Sequence, residues 1–452
     1  MPLIFFLLPV ILFAGSQEND TAMAYSLPDL YRLALLRSEE IQIAENNLDI
    51  AEKDKKRARS ALLPRLSGFG NYIRYNETNP LQPESAWDYG VKLQQQVTLN
   101  GKEWTGYQAA LDTIEQREYD LDASTEAYLF NVAAAYYDVV NIKKRVEILK
   151  ANVRRLEAYK ASVIKKLKLE AVPKTDLLRT EAELSGTATE LVVAENELAY
   201  ARATLASLVN LPRDYSIQAP EQPVKSGING RLPEFIETAQ SSRAEIKSVE
   251  MALELADANI SIKKSDYWPV LSVEAGYTVE DADFELLPEE DSSEESLYGA
   301  LNVEMMIFDW GLRKGTVGQA KAEKQNVRLK LQILNKQIAL EVEQAYLKVI
   351  AAKEGIIALK DQLKFARANF EAVTLQFELG QADSLDVMDA NTLLFNSERE
   401  LSEAQNMLAL SYLSLERAQG IFFKNIKAQY SLYQNAASSK ADAELNTGEV
   451  NP

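Results

Sequence analysis

The sequence predicts a mainly α-helical chain with a β-barrel portion, in which a strand hairpin and a long coiled-coil helix each occur twice. Apolar residues alternate at spacings of three and four from Thr125 to Val163 and again from Ile338 to Phe377, as in a coiled coil. Ahead of each stretch, apolar and polar residues alternate with a period of two, which is typical of strands. Identical residues also recur at a fixed offset, so the chain is an internal duplication.

The composition excludes several classes of protein. The net charge of −18 leaves no basic stripe to replace phosphate counterions, so no nucleic-acid partner is expected. The 452 residues include no Cys and no His, which removes the commonest nucleophiles and soft metal ligands. We therefore expect no enzyme, no catalytic residues, no metal site and no cofactor.

The N-terminus resembles a secretion signal. An apolar run from Leu3 to Ala14 precedes the small-residue site Ala22-Met23-Ala24, which predicts a signal peptide over residues 1–24. An uncleaved anchor helix is the alternative, although the run is short for a membrane span. No later stretch has eighteen apolar residues without charge, so export is predicted.

The repeat boundaries follow from helix breakers. A helical pattern in each repeat, which we name the leading helix, stops at Pro64 and at Pro269, 205 residues later. Gly101 and Gly311, 210 residues apart, close the alternating runs. The five residues gained between these offsets fall in the polar loop of the second hairpin, as expected for an exposed loop. The first repeat, 25–210, is predicted to hold the leading helix, a β-hairpin over 65–99, a long helix over 103–169 and a return helix over 175–209. A linker over 211–231 joins it to the second repeat, 232–420, which holds a leading helix, a β-hairpin over 270–308, a long helix over 313–379 and a return helix over 385–419. A C-terminal tail covers 421–452 and is predicted to be disordered from Asn435.

The predicted lengths suggest how these helices pack. A helix of about 67 residues is about 100 Å long at 1.5 Å per residue, which no ordinary globular domain contains. A return helix and a leading helix together have the length of one long helix. We therefore expect the two shorter helices to stack end to end along the long one.

The strands require partners from other chains. Four strands of about 9–13 residues can cross a bilayer when tilted, but they cannot close a barrel. Three chains would supply twelve strands, an even number typical of outer-membrane barrels. The alternative is a small soluble β subdomain formed by the hairpins.

Taken in order and duplicated, these features resemble the TolC-like outer membrane efflux protein family from about residue 25 to residue 420. The resemblance rests on Pro64-Arg65-Leu66 and Pro269-Val270-Leu271, Ile307-Phe308-Asp309-Trp310-Gly311, Ala135-Tyr136 and Ala345-Tyr346, and Leu379-Gly380 followed by Asp386-Val387-Met388-Asp389-Ala390. It implies a homotrimer with a twelve-stranded outer-membrane barrel in the lipid, continued by a periplasmic α-helical barrel. Such porin-like channels are passive exit ducts of tripartite efflux systems for small toxic compounds, with a periplasmic adaptor (a membrane fusion protein) and an inner-membrane pump as partners. Type I protein secretion uses the same architecture and stays an alternative, as does a soluble periplasmic coiled-coil adaptor or scaffold.

The resemblance also implies functional residues at the turns of the long helices. Asp386 and Asp389 match an acidic ring at the periplasmic entrance, where three copies of each carboxylate would attract cations. The alternative is that Asp386 caps a helix beginning near Val387, as Asp176 would cap one at Leu177. The remaining predicted residues are the tip and gate positions Asp176, Phe377, Gly380, Ala382 and Asp383, and the adaptor-contact tips Leu169, Glu170, Leu379 and Gly380.

The chain departs from the family pattern at the gate. The best-known members close with an Arg and a Tyr linked to an Asp. Here Ala382 and Phe377 occupy the first two positions and Asp176 the third, so that ionic latch cannot form.

Overall fold

The computed structural model describes residues 24–76, 85–212, 214–218, 230–283 and 293–428. In chain order the elements are β1 (Ala24–Tyr25), α1 (Leu27–Arg37), α2 (Glu39–Ser60), β2 (Arg65–Arg74), β3 (Ser85–Thr98), α3 (Lys102–Lys168), α4 (Lys174–Val209), β4 (Ser216–Ile217), α5 (Leu232–Ser242), α6 (Ala244–Ser265), β5 (Val270–Asp283), β6 (Ser293–Glu304), α7 (Leu312–Glu378) and α8 (Ser384–Ala418). A last helix, α9, covers residues 422–428. The predicted signal peptide, apart from Ala24, and the predicted disordered end of the tail lie outside the described residues.

The four long strands form one antiparallel sheet in the order β2-β3-β5-β6, so the two hairpins lie side by side. The second hairpin is shorter than the predicted 270–308. Strand β6 ends at Glu304 because its partner β5 begins at Val270, directly opposite. Residues 305–308 are extended in sequence pattern but have no partner strand within the described chain.

The long helices α3 and α7 have 67 residues each, and their bounds are displaced by one residue from the predicted 103–169 and 313–379. Each follows a glycine in the left-handed region, Gly101 with φ 76° and Gly311 with φ 93°, a conformation that glycine adopts at little cost. The chain therefore turns sharply from the sheet into the helix at equivalent points of the two repeats.

The leading helices are not continuous, contrary to the prediction. The first is broken at Ser38 and the second at Arg243, which is 205 residues later, and both residues have extended backbone. The Ser38 hydroxyl accepts a hydrogen bond from the Ile41 amide at 3.3 Å, so it caps a new helix without any Pro or Gly nearby.

The end-to-end stacking of shorter helices along α3 is confirmed. Asn210, just after α4, donates from its side chain to the Arg37 carbonyl oxygen at 3.3 Å and to Glu39 at 3.2 Å. Arg37 donates in return to the Asn210 carbonyl oxygen at 3.1 Å. These bonds fix the end of α4 at the break between α1 and α2.

Parts of the predicted linker and of the predicted C-terminal tail pack into the protein. In the predicted linker, Tyr215 is buried and its hydroxyl donates to the Arg202 carbonyl oxygen at 2.8 Å, while β4 pairs in parallel with β1. In the predicted tail, Phe422 and Ile426 lie four residues apart on α9 and are buried in the largest apolar core. Both segments are held by aromatic and aliphatic side chains that fit this core.

A cluster of buried charges lies where α8 ends at the α5–α6 break. Arg243, only 6% exposed, donates to the exposed Glu341 at 2.5 Å and to Glu245 at 2.8 Å. Glu126 of α3 is also buried and accepts from the Phe423 amide at 3.3 Å. The Arg417 guanidinium lies 4.8 Å from the centre of the Phe130 ring and lowers the pKa of Glu126, so α3, α6, α7 and α8 all contribute charges around the break.

The helices form a layer that continues the sheet. Helix α3 packs against α2 and α6 toward the sheet and against α4 and α8 toward the other end, while α7 packs against α6 and α8. Among the residues that the structure describes, no helix combines the length and the apolar character that a membrane crossing requires.

Candidate functional site

The end of the layer away from the sheet, which we name the tip, consists of two equivalent turns. In the first, the Ala171 amide donates to the Lys166 carbonyl oxygen at 2.9 Å, and in the second the Gln381 amide donates to the Gln376 carbonyl oxygen at 2.8 Å. Each turn has one left-handed residue, Glu170 with φ 55° and Gly380 with φ 74°. These are Schellman turns, in which glycine is the favoured left-handed residue, so Glu170 is held in a strained conformation.

Leucine side chains project from both turns. Leu169 and Leu379 precede the left-handed residues and are exposed. Each leucine lies at the end of one helical hairpin and presents an apolar surface that the described chain leaves uncovered.

The acidic residues of the second turn divide into a helix cap and a free row. Asp383 is the residue that caps α8, since its carboxylate accepts from the amides of Leu385 at 2.8 Å and Asp386 at 3.0 Å. The alternative prediction that Asp386 is itself the cap is therefore wrong. Asp386 is the third residue of the helix, where its carboxylate accepts from the Asp383 amide at 3.0 Å and completes a capping box.

The side chains of Asp386 and Asp389 are exposed, whereas Val387 and Met388 between them are buried. Burial of the two apolar residues against the tip orients α8, so both carboxylates lie on its solvent side. Their spacing of three residues places them on one helix face.

Asp176 occupies the equivalent position at the start of α4 without an equivalent box. The residue before that helix is Pro173, which has no amide hydrogen to donate. The Asp176 charge lies near the hydroxyl of Tyr159, whose pKa is raised mainly by burial and further by Asp176 and Asp383.

Phe377 forms part of the apolar core of the tip. It is buried together with Leu156, Val163 and Val387, with Ala382 packed against the same cluster. Its ring centre lies 5.2 Å from that of Tyr159 on α3. The tip thus has an aromatic pair between the two repeats where the family pattern has an ionic latch.

Two polar residues that the sequence reasoning missed cross between the repeats here. The Lys166 amine lies 4.5 Å from the Phe377 ring centre and donates to the carbonyl oxygens of Phe377 and, at 3.2 Å, of Glu378. A cation at the C-terminus of α7 also matches the helix dipole. The Tyr159 hydroxyl donates to the Ser384 hydroxyl at 3.0 Å, so α3 is bonded both to the end of α7 and to the start of α8.

A sequence signal for these contacts exists. Asn152, Tyr159 and Lys166 are spaced by seven residues on α3, and each contacts the second repeat, Asn152 through the Asn391 side chain at 3.0 Å. Polar residues at heptad spacing beside an apolar seam indicate a second packing face.

The side edges of the subunit are the other candidate site. Strands β2 and β6 are the outer strands of the sheet, and their outward leucines, Leu66 and Leu301, are 71% and 70% exposed. Leu93 on the inner strand β3 is only 42% exposed. An open sheet with apolar edges is a template for pairing with another chain.

The helical layer has matching edges. Ile333, Leu340 and Leu347 are exposed on α7 at spacings of seven, and Leu36, Ile43 and Ile50 are exposed at the same spacing on α1 and α2. The row on α1 and α2 lies on the side of the subunit where β2 is the outer strand. The row on α7 lies on the opposite side, where β6 is the outer strand. The apolar edges thus continue from the sheet into the helices.

Comparison with known proteins agrees with this geometry. The sequence pattern of one family, described as outer membrane efflux protein (OEP), matches residues 30–211 and 235–420. The chain belongs to the outer membrane efflux protein family. The two matched segments correspond to the two repeats.

Individual relatives of the family are distant but cover almost the whole chain. Outer membrane protein TolC of Vibrio cholerae is 23% identical, covering 92% of this chain and 95% of TolC. TolC of Escherichia coli strain K12 is 21% identical, covering 96% of this chain and 89% of that protein. The solved structure of the Campylobacter jejuni outer membrane channel CmeC has a TM-score of 0.77 at 18% identity, covering 95% of this chain and 96% of CmeC.

Membership of the outer membrane efflux protein family tests several of the predictions made from the sequence. The fold class is confirmed, since the chain has the fold of trimeric channels in which a periplasmic helical barrel continues an outer-membrane barrel. Location in the outer membrane with extension into the periplasm and function as an efflux channel are likewise confirmed. The family is one of channel proteins rather than enzymes, and a soluble adaptor no longer fits.

Proposed function

We propose that three copies of this chain form one passive exit duct, which works with a periplasmic adaptor and an inner-membrane pump to export small toxic compounds. The observation that carries this proposal is the pair of open apolar edges. The four-stranded sheet cannot shield its outer backbone groups from lipid by itself. Three copies supply twelve strands, which close a barrel within the known range.

The tip forms the periplasmic entrance of the duct in this proposal. Around a threefold axis, Asp386 and Asp389 supply six carboxylates at the constriction, and a ring of like charges attracts and retains cations. Both side chains are exposed and held on one face of α8 by the capping box and the buried Val387 and Met388. The same preorganisation makes the ring and the helix cap compatible functions of Asp386.

The exposed turns are the adaptor contacts in this proposal. Leu169 and Leu379 supply apolar contact area, and the left-handed residues Glu170 and Gly380 shape the two turns. Because Glu170 carries a charge where the second turn has glycine, the two turns present different surfaces to an adaptor.

Closure of the duct in this proposal relies on the contacts between repeats at the tip. Lys166 and Tyr159 of α3 join the end of α7 to the start of α8. They act where Phe377 and Ala382 replace the latch residues of other family members. Separating the two helical hairpins would break these bonds, so they favour the narrow state.

The acidic ring is tested by single-channel recording in planar lipid bilayers. The double variant Asp386→Asn, Asp389→Asn removes six charges from the trimer but keeps an oxygen acceptor for the Asp383 amide. We expect weaker block by hexamminecobalt(III) added on the periplasmic side and lower preference for cations. A matched control is Asp361→Asn, an exposed aspartate of α7 about 25 Å from its C-terminus at 1.5 Å per residue.

The control should keep the block of the unchanged protein. Block that is equally strong in the double variant would remove the assigned role of the ring. Absence of any channel, together with a lone subunit in detergent, would contradict the duct itself.

A further inference from the structure

We propose that β6 of one subunit pairs antiparallel with β2 of the next in one fixed register, with Leu301 opposite Tyr72 and Phe308 opposite Arg65 of the next subunit. This inference rests on the trimeric duct proposed above and specifies its subunit boundary residue by residue. The partner is a second copy of this chain, and the internal duplication determines the register.

The two hairpins have identical registers. Arg65 pairs with Gln94 in the first hairpin and Val270 with Glu304 in the second. Position 270 follows 65 by 205 residues, and 304 follows 94 by 210. Strands β2 and β5 are therefore equivalent at an offset of 205, and strands β3 and β6 at an offset of 210.

The pairing between the two repeats of one chain provides the rule for pairing between subunits. Strand β3 of the first repeat pairs with β5 of the second, from Thr98 opposite Val270 to Ser85 opposite Asp283. If successive repeats around the barrel are related alike, the same rule joins β6 to β2 of the next subunit. Adding 210 to the β3 residue and subtracting 205 from the β5 residue gives Phe308 opposite Arg65.

This register accounts for the segment after β6. Met305, Met306, Ile307 and Phe308 are 53%, 55%, 90% and 65% exposed and have no partner strand in the described chain. Their counterparts, residues 95–98 of β3, also extend beyond β2 and pair only with β5 of the next repeat. Residues 305–308 thus complete β6 once the next subunit supplies β2.

Side-chain alternation supports the same register. Outward residues of β6 meet outward residues of β2, which gives the pairs Ile307 with Leu66 and Leu301 with Tyr72. Met305 and Val303 meet Gly68 and Gly70, so a larger side chain lies beside a glycine. A shift by one residue would turn apolar side chains toward polar ones on the other face.

The helices follow the same rule. Ser248 on α6 is 7% exposed and donates to Asp120 of α3 at 2.5 Å. Its equivalent in the first repeat is Ile43, which is 60% exposed and would face α7 of the neighbouring subunit. Near the sheet, Lys102 pairs with Asp266 at 2.7 Å, whereas the equivalent positions are Leu312 and Ala61.

The boundary within a chain is polar at these points. Of the equivalent positions between chains, Ile43, Leu312 and Ala61 are apolar, and only the equivalent of Asp120, Lys330, is charged. Burial against another copy explains why Ile43 and Leu312 are exposed in the single subunit. This evidence is independent of the strands, since it comes from side chains outside the four strands.

Cysteine cross-linking tests the register without background, because the chain has no cysteine. Opposite residues of antiparallel strands have Cα atoms about 4.5–5.5 Å apart, within the range for a disulfide. We expect Leu301→Cys with Tyr72→Cys to give covalent dimers and trimers on oxidation of outer-membrane fractions. The pair Leu301→Cys with Gly70→Cys, two residues out of register on the same face, should not cross-link.

Three further double variants serve as controls and as a second test. Val91→Cys with Tyr277→Cys is the equivalent pair within one chain and should give an intrachain disulfide detectable by mass spectrometry. Ile307→Cys with Leu66→Cys repeats the test at the other end of the strand, in case the first pair does not insert, and Ile307→Cys with Gly68→Cys is its mismatch.

The outcomes separate the two proposals. Cross-linking of the mismatched pairs instead of the matched ones would overturn the register and leave the trimer intact. A trimer by native mass in which neither set cross-links would overturn pairing of these edges. A lone subunit in every preparation would overturn the proposed duct together with the register.

Discussion

Replacing the buried Glu126 by Gln is expected to stabilise the protein above neutral pH and to leave it unchanged in mild acid. Glu126 is 6% exposed, and burial is the main reason that its pKa rises to about 7 from 4.5. Glu245 raises the pKa further, while the Phe423 amide, Arg243 and Arg417 oppose the rise. These opposing groups do not outweigh the loss of water around the carboxylate.

The sign follows from proton binding. Between about pH 4.5 and pH 7 the folded protein retains a proton on Glu126 that the unfolded chain has released. The stabilisation from this proton is complete below that window and is lost as the pH rises through it. The pKa difference is equivalent to about 3 kcal/mol, since each pKa unit corresponds to about 1.4 kcal/mol.

Glutamine keeps the shape and an oxygen acceptor for the Phe423 amide but carries no charge at any pH. At about pH 8 the variant should therefore have a free energy of unfolding larger by up to about 3 kcal/mol per subunit. With an unfolding entropy of about 2.1 cal/mol/K per residue, this corresponds to a Tm higher by about 3 °C.

The assay is thermal unfolding in detergent, followed by circular dichroism between about pH 4.5 and pH 8.5. Glu118→Gln, an exposed position about two turns earlier on α3, controls for the loss of one negative charge. If the Glu126→Gln and unchanged proteins had parallel pH profiles, the carboxylate would be ionised throughout and the reasoning would be refuted.

Two other substitutions test the tip and the α8 terminus. Gly420→Ala should lower the free energy of unfolding by about 2 kcal/mol or more. Gly420 has a φ of +69°, and the new Cβ would lie 2.9 Å from Arg243 Cγ and 3.0 Å from Arg243 Cα. A Tm equal to that of the unchanged protein would contradict this prediction. Lys166→Met should raise single-channel conductance, because it removes the hydrogen bonds from α3 to the last carbonyl oxygens of α7. The control Lys165→Met, at an exposed neighbouring position, should leave the conductance unchanged. Equal conductance in both variants would show that these bonds do not restrain the tip.

The periodic elements were predictable from the sequence because long repeats leave few alternatives. Heptads over residues 125–163 and 338–377, breakers such as Pro64 and Gly101, and the constant offsets located both long helices to within a residue. The family match also followed from the order of short motifs rather than from any single one.

The errors share a physical cause, which is that contacts distant in sequence determined the outcome. Ser38 ends one helix by capping the next, without a breaker. Strand β6 ends at Glu304 because β5 begins opposite it, and α9 forms because Phe422 and Ile426 fit a preformed core. At the tip, Asp383 rather than Asp386 is the cap because α8 begins at Ser384, three residues before the start near Val387 that the capping alternative assumed.

The equal length of the two long helices sets the distance between the sheet and the tip. Both α3 and α7 have 67 residues, whereas the second hairpin has five more residues than the first between equivalent strand positions. Each heptad contributes about 10 Å of reach at 1.5 Å per residue, and adding one to a single helix would leave its turn out of level with the other. The distance from the sheet to the tip can therefore change only in heptad steps made jointly in both helices and in the return helices beside them.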